Sequence, residues 1–207
     1  PDDISSDTLV LATSNQTVRS PENGDPDYPA VLGRVVIDAT SATSYPVNVT
    51  ASGITLKGFT IKNAKAGYAS LRVSATNFTA EDLIILTPQS GADSVGVYCS
   101  TASVVATFRR CSIREMTGEG IYIDAGGSSF TIESSEIIHC KRGISLKNGS
   151  VTFDNVNISD SEYQSIYMTE DNTQILTANN SNFIACARTP GNYYNIHNSS
   201  ADGTITP

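Results

Sequence analysis

The side chains best suited to chemistry in this sequence are Arg114 and Glu136, which share a charged stretch with Arg110, Glu115 and Glu133. Hydrolysis of a glycosidic bond needs two carboxyl groups close together, as general acid and as base or nucleophile. Elimination across such a bond needs a positioned base, a role that Arg114 would fill. Ion pairs between exposed neighbours account for the same residues without any reaction. We therefore expect surface ion pairing and assign no catalytic residue, with Arg114 and Glu136 as the alternative catalytic pair.

Metal ligation is the second chemistry to consider. Glu22, Asp25 and Asp27 offer carboxylates in one short loop, but their spacing matches no calcium-binding loop. The two histidines, His139 and His197, lie far apart, and no zinc-ligand spacing occurs. We expect a solvated acidic loop and no cofactor, with calcium at this loop as the alternative.

The four cysteines are Cys99, Cys111, Cys140 and Cys186. Cys140 and Cys186 take equivalent positions in the repeat described below, but one full repeat lies between them. Two steps of a parallel stack span about 9.6 Å, whereas the Cα atoms of a disulfide lie roughly 4.4–6.8 Å apart. We expect no disulfide, and buried thiols that fill apolar space.

Seven Asn-X-Ser/Thr sequons are candidates for glycosylation. They lie at Asn15, Asn48, Asn77, Asn148, Asn157, Asn179 and Asn198. They are as compatible with a secreted glycoprotein as with an asparagine-rich β-fold that carries no glycan.

The charge balance limits the partners. With 13 basic and 21 acidic residues and a pI near 4.6, the chain lacks the basic clusters that bind nucleic acid or anionic membranes. No apolar run approaches the roughly 20 residues that a membrane-spanning helix needs. We expect neither nucleic-acid binding nor membrane insertion.

Short apolar triplets recur with a period of about 24 residues. The first series is Val47–Val49, Leu71–Val73, Val95–Val97, Ile121–Ile123, Ile144–Leu146 and Ile166–Met168. A second series starts at Ile54, Asn77, Val104, Phe130, Val151 and Ile175. A third is anchored on Ile61, Ile85, Ile113, Ile137, Ile158 and Phe183. Each repeat therefore holds three short strands separated by turns.

A three-residue strand is stable only when it pairs with its copies in neighbouring repeats. A β-sandwich does not repeat three strand types in a fixed order. We predict an all-β chain forming a right-handed, single-stranded parallel β-helix, with about seven coils of about 24 residues. We expect one domain over 1–207, with an N-terminal strand and polar loop (1–34), regular coils (35–190) and an irregular C-terminal end (191–207).

Tyrosines gather on one side of this predicted rod. Tyr122 and Tyr167 take outward positions of the first series, and Tyr98 lies one outward position further along its strand. Tyr193 and Tyr194 follow near the C-terminal end. Such a face can stack sugar rings, pack against another chain, or only cover the sheet beneath it.

The segment Pro46–Ala64 (PVNVTASGITLKGFTIKNA) resembles the opening coils of the NosD-like, or carbohydrate-binding and sugar-hydrolase, β-helix families. Gly120–Ile123 (GIYI) and Arg142–Leu146 (RGISL) resemble later coils. The resemblance covers roughly residues 35–185. It implies the β-helix fold, which bacterial and archaeal surface proteins, phage tail proteins and polysaccharide lyases share, and therefore specifies no single function.

The ends of a β-helix expose unpaired strand edges, and solenoids usually cap them. No amphipathic helix precedes Leu9, and Asn192–Pro207 forms an irregular partial coil in this interpretation. We expect a non-catalytic, extracellular structural or adhesive protein that self-assembles into a fibre, sheath, surface layer or spike. Its partners are then copies of itself, through the ends and the tyrosine face, with glycans as a second class. The alternative is a polysaccharide lyase or glycoside hydrolase, which the family resemblance implies.

Overall fold

The computed structural model describes residues 8–20, 35–39, 44–62, 67–87, 93–168, 174–184, 196–198 and 204–206. All regular secondary structure in these ranges is β-strand. The strands are β1 Leu9–Leu11, β2 Thr17–Arg19, β3 Val36–Asp38, β4 Val47–Val49, β5 Thr55–Lys57, β6 Thr60–Lys62, β7 Ala69–Val73, β8 Phe78–Glu81, β9 Ile84–Leu86, β10 Val95–Cys99, β11 Val105–Arg109, β12 Ser112–Arg114, β13 Glu119–Glu133, β14 Glu136–Ile138, β15 Arg142–Asp154, β16 Asn157–Ser159, β17 Ile166–Met168, β18 Gln174–Asn179, β19 Asn182–Phe183, β20 Ile196–Asn198 and β21 Thr204–Thr206.

The strands stack into three parallel ladders. Ladder A comprises β1, β4, β7, β10, the first parts of β13 and β15, β17 and β20. Ladder B comprises β2, β5, β8, β11, the last parts of β13 and β15, β18 and β21. Ladder C is a separate seven-stranded sheet of β3, β6, β9, β12, β14, β16 and β19. Ladders A and B form one 14-stranded sheet because β13 and β15 run through the corner between them.

The chain is an all-β parallel solenoid of about five turns. The expected number of about seven coils is somewhat more than the structure shows. The five turns run from β4 to β16. The flanking sets β1–β3 and β17–β19 also supply one strand to each ladder, but the segments joining β2 to β3 and β17 to β18 include residues outside the described ranges. The strands beyond the five turns pair onto the stack. The number of coils expected from the sequence is larger because each apolar triplet was counted as a full coil.

Ladder C anchors the core with one column of apolar side chains. The central residues of successive strands are direct cross-strand partners. The third series of anchors predicted from the sequence is therefore confirmed. The column is Ile37, Ile61, Ile85, Ile113, Ile137, Ile158 and Phe183. The isoleucines are at most 2% exposed, so each contributes roughly 1.5–3 kcal/mol of burial.

Ladder B places phenylalanines inward and threonines outward. Phe78, Phe108 and Phe130 are buried, and the ring centroids of each adjacent pair lie 5.9 Å apart. The outward central column is an unbroken row of threonines, and β-branched residues in cross-strand pairs favour this extended pairing. The row is Thr17, Thr55, Thr79, Thr107, Thr131, Thr152 and Thr177.

Three anchors expected for the second series are displaced. Asn77 has φ 55° and forms the turn before β8, so the inward residue is Phe78. Ile175 is 50% exposed and points outward, so Leu176 is the inward residue. Val104 is buried but lies two positions before Ala106, the true partner of Phe78 and Phe130.

The expected triplet Val95–Val97 is displaced by two residues. Tyr98 pairs with Tyr122 on one side and with Arg72 on the other. Tyr98 therefore takes the outward position expected for Gly96. Both residues flanking Gly96 are valines, so the alternation alone fits two registers.

In each turn, the corner between ladders B and C is formed by a single residue whose backbone lies in the left-handed region of φ and ψ. In successive turns this residue is Gly58, Asp82, Arg110, Ser134, Asn155 and Asn180, with φ between 47° and 80°. The residue that follows is turned into the core, which places the Cys111 side chain inside the solenoid. This corner is short because a single positive φ reverses the side-chain alternation there.

Candidate ligand-binding face

The outward column of ladder A carries the side chains with the most functional potential. Because the ladder is parallel and in register, one residue per turn takes this position. The column runs Asn48, Arg72, Tyr98, Tyr122, Ser145 and Tyr167. The structure thus brings together three of the five tyrosines predicted from sequence, whereas Tyr193 and Tyr194 lie outside the described residues.

Four tyrosines form a continuous aromatic cluster at one end of this column, the tyrosine cluster of Tyr45, Tyr68, Tyr98 and Tyr122. Tyr45 meets Tyr68 edge-on at 5.6 Å and stacks on Tyr98 at 6.3 Å, measured between ring centroids. Tyr98 and Tyr122 are 5.6 Å apart. These distances fall in the range of favourable aromatic pairs. All four rings are partly exposed, so the cluster presents aromatic surface to solvent.

Sequence reasoning missed Tyr45 and Tyr68, although a signal was present. Both precede ladder A strands by one or two residues in consecutive turns. The predicted face included only strand positions, whereas Tyr45 and Tyr68 reach the same face from the turn before the strand.

Arg72 lies within the tyrosine cluster and has no carboxylate partner among the described residues. Its guanidinium carbon is 5.0 Å from the centroid of the Tyr45 ring, a cation–π contact. Its Nε atom is out of contact with solvent and makes no hydrogen bond, as is also true of Oδ1 of the neighbouring Asn48. In the part of the chain that the structure describes, no ion pair includes Arg72.

The next turns of the same face carry paired charges. Arg142 lies 2.9 Å from Glu119, nitrogen to oxygen, and its guanidinium carbon is 4.7 Å from the Tyr167 ring centroid. Ser145 donates a hydrogen bond of 3.4 Å to the same carboxylate oxygen of Glu119. Glu119 is thus engaged from two sides, and its charge is compensated within the face.

The second carboxylate of the face, Asp124, is compensated in the same way. Lys147 lies 3.1 Å from Asp124, and the Tyr122 hydroxyl donates a hydrogen bond of 3.4 Å to it. Burial, reinforced by the Asp124 carboxylate, raises the pKa of Tyr122 to about 12. Tyr122 therefore remains a neutral donor at physiological pH, and the face offers aromatic surface and hydrogen bonds.

The charged cluster singled out in the sequence is divided between two faces. On ladder B, Arg109 pairs with Glu133 at 2.7 Å, and at the adjoining corner between ladders B and C, Arg110 pairs with Asp82 at 2.8 Å. Glu115 lies at the turn after ladder C and has φ 61°. The contacts on ladder B are ion pairs between successive turns.

Arg114 and Glu136 lie on adjacent strands of ladder C but are not direct partners. Ser112 is the partner of Glu136 and donates a hydrogen bond of 2.7 Å to it, whereas Arg114 pairs with Ile138. No ion pair joins Arg114 to Glu136, both of which lie in the described ranges. A groove of about 410 Å³ runs beside Glu136 and is lined mainly by serine and asparagine.

Among the described residues, no group of three histidine, cysteine or acidic side chains could hold a metal ion, and Glu22, Asp25 and Asp27 lie outside that part of the chain. Cys99, Cys111 and Cys140 are buried free thiols, and Cys186 is outside the described ranges.

The sequons differ in accessibility. The first group, with exposed asparagines, is Asn15, Asn77 and Asn179. The second, with partly buried asparagines, is Asn48, Asn148 and Asn157. The side chain of Asn198 is outside the described set. No helix in the described ranges could cross a bilayer.

Comparison with known proteins identifies the architecture. The family model of the right-handed beta helix region matches residues 95–205, more than half of the 207 residues. No curated protein and no solved structure matches the chain significantly. The match covers the turns from β10 onward, including the Tyr98, Tyr122 and Tyr167 part of the ladder A face.

Proposed function

This chain belongs to the right-handed β-helix family, and on that premise we propose that it is a non-catalytic, extracellular adhesive protein that holds an extended glycan along ladder A. The observation that carries the proposal is the tyrosine cluster, whose partly exposed rings follow the axis of the rod over consecutive turns. Sugar rings have apolar faces that pack on aromatic side chains, and Tyr hydroxyls add hydrogen bonds. A polymer parallel to the axis meets one ring of the cluster in each of the four consecutive turns from β4 to β13.

The state of the carboxylates supports a binding role over a catalytic one. Glu119 is held by Arg142, and Asp124 by Lys147. Glycoside hydrolysis needs two carboxyl groups that face the scissile bond, whereas both carboxylates of this face contact cations of the protein itself. The two carboxylates of this face thus serve to hold the arginine and lysine side chains in place.

The test is a binding screen of the purified chain against neutral and acidic polysaccharides. We expect retention of at least one polymer in affinity electrophoresis, and weaker retention of the Tyr98→Ala variant. Val105→Ser is the matched control, because Val105 is 45% exposed on ladder B, away from the face. Absence of binding to every polymer in the screen would refute the adhesive function.

Self-assembly is the structural part of the same proposal. The terminal turns of any β-solenoid present strand edges that a second copy can extend. We propose that copies add through these ends, or side by side through the tyrosine cluster, to form a fibre, sheath, surface layer or spike. Electron microscopy of material from the native source should show ordered polymers. A monomer at high concentration in light scattering would contradict assembly.

A second candidate function is a polysaccharide lyase or glycoside hydrolase that acts on ladder C, where Glu136 lines the groove and Arg114 lies on the adjacent strand outside the groove lining. The groove favours this candidate because it places a carboxylate among hydroxyl and amide side chains. In this case Arg114→Ala and Glu136→Ala would each abolish release of reducing ends or unsaturated products from a polysaccharide. Product release that survives both substitutions would exclude this pair as catalytic.

A further inference from the structure

We propose that the glycan bound on ladder A is an acidic polysaccharide that carries carboxylates, and that Arg72 selects it. This inference rests on the proposed adhesive function of the same face and names its ligand class. It follows from the one cation, among the described residues of the face, that the protein leaves without a counter-charge.

Charge pairing along the face is uneven. Arg142 and Lys147 each contact a carboxylate, at 2.9 Å and 3.1 Å. Arg72, on a strand nearer the N-terminal end of the ladder, contacts an aromatic ring instead. The chain as a whole has a net charge of −8, so the lack of a contacting carboxylate is a local property of this part of the face. Among the described residues of ladder A, the net charge at the tyrosine cluster is therefore positive.

Arg72 is partly exposed, but its surroundings withdraw the Nε atom from water without replacing the lost hydrogen bond. Its Nε has no partner, and Oδ1 of Asn48 on the adjacent strand has none either. A polar group removed from solvent without a hydrogen bond costs free energy, and a charge costs more. No carboxylate among the described residues balances the guanidinium charge, so an anion at its exposed end is favoured over a neutral ligand.

The chemistry of the site fits a carboxylate attached to a sugar. A guanidinium binds a carboxylate through two parallel N–H···O hydrogen bonds. Tyr45 lies against Arg72, and Tyr98 lies on the next strand and stacks on Tyr45. A uronic acid unit therefore places its acid group at Arg72 and its ring against a tyrosine. The repeat of a polysaccharide along the rod axis lets its other units contact Tyr98 and Tyr122.

Alginate and carboxyl-reduced alginate provide the test, because they differ only in the charged group. In calorimetry or affinity electrophoresis, we expect the wild-type chain to bind alginate at least about 10-fold more tightly, as for a charge-assisted hydrogen bond. Arg72→Gln should remove this preference, while Arg109→Gln, which removes an exposed arginine from ladder B, should keep it. Added salt should weaken alginate binding in the wild type and not in Arg72→Gln.

The outcomes separate the two proposals. Equal affinity of the wild-type chain for the two polymers, or an Arg72→Gln variant that still prefers alginate, overturns the role of Arg72 but leaves glycan binding intact. Binding of neither these polymers nor any other in the screen overturns the adhesive function itself. The wild-type comparison needs no variant, so a poorly folded Arg72→Gln does not affect it.

Discussion

The rings of Tyr98 and Tyr122 lie 5.6 Å apart because the two residues are direct cross-strand partners on adjacent turns of ladder A. Each ring therefore supports the other, and together they present a rigid aromatic surface. Tyr98→Ala removes the ring between Tyr45 and Tyr122 and breaks the cluster in its middle. We expect the affinity for a bound polysaccharide to fall roughly 2- to 12-fold, the equivalent of about 0.5–1.5 kcal/mol for one aromatic contact.

Tyr98→Phe is the matched control for this prediction, because it keeps the ring and removes only the hydroxyl. Calorimetric titration should give Tyr98→Phe nearly the wild-type affinity. If both variants lose affinity equally, stacking is not the source of binding.

Gly120 is fixed by close packing between turns. A Cβ atom there would lie 2.6 Å from the carbonyl oxygen of Gly143 and 2.5 Å from a methyl carbon of Ile137. Neither the paired backbone nor the buried isoleucine can move away freely. We expect Gly120→Ala to lower the free energy of unfolding by about 1–3 kcal/mol, the usual effect of overpacking, in urea denaturation.

The control is Gly126→Ala in the same strand, β13. A Cβ atom at Gly126 would have no other atom within 4 Å, and the φ of this glycine is not in the left-handed region. We expect a change within about 0.5 kcal/mol, as for an exposed substitution. Equal effects at the two glycines would show that the spacing between turns is looser than these contacts require.

The sequence predicted ladder C better than ladder A, and the reason lies in the side chains. Ile61 and Ile113 each stand between two polar neighbours and fit one register only. Around Gly96 the alternation is ambiguous, and the true outward residue, Tyr98, was assigned to a later position. Tyr45 was missed altogether because it reaches the face from a turn.

For a related reason, the sequence could not predict which arginine of the face contacts a carboxylate. Arg72 and Arg142 both occur in ladder A strands, yet of these two only Arg142 meets a carboxylate among the described residues. Which long side chain reaches which partner depends on rotamers and on the neighbouring turns, and the repeat period does not determine either. The unpaired arginine emerged only from the three-dimensional contacts.

Arg109 joins two acidic residues on ladder B. It lies 2.7 Å from Glu133 and 3.9 Å from Glu81, its partners on the two adjacent strands. Arg109→Glu places three like charges in one row. Since exposed ion pairs contribute about 0.2–1 kcal/mol each, we expect a loss of roughly 1–2 kcal/mol in unfolding free energy at low salt. The loss should shrink in 1 M NaCl, where the Debye length is about 3 Å. A loss that is independent of salt would assign it to packing of the arginine stem.

Ionisation of the Cys111 and Cys140 thiols in the unfolded chain lowers the stability of the solenoid at alkaline pH. Burial raises the pKa of the Cys111 thiol to about 11 and that of Cys140 to about 12, from an ordinary value of 9.0. Below pH 9 both thiols are neutral in the folded and unfolded chains, and their contribution to stability is fully present. Above pH 9 only the unfolded chain ionises, so stability falls through pH 11–12 by about 1.4 kcal/mol per pH unit and thiol. Urea denaturation between pH 8 and 11 should show this fall, and Cys140→Ala should reduce its slope by the share of one thiol, about 1.4 kcal/mol per pH unit. An unchanged slope in Cys140→Ala would mean that Cys140 ionises equally in both states.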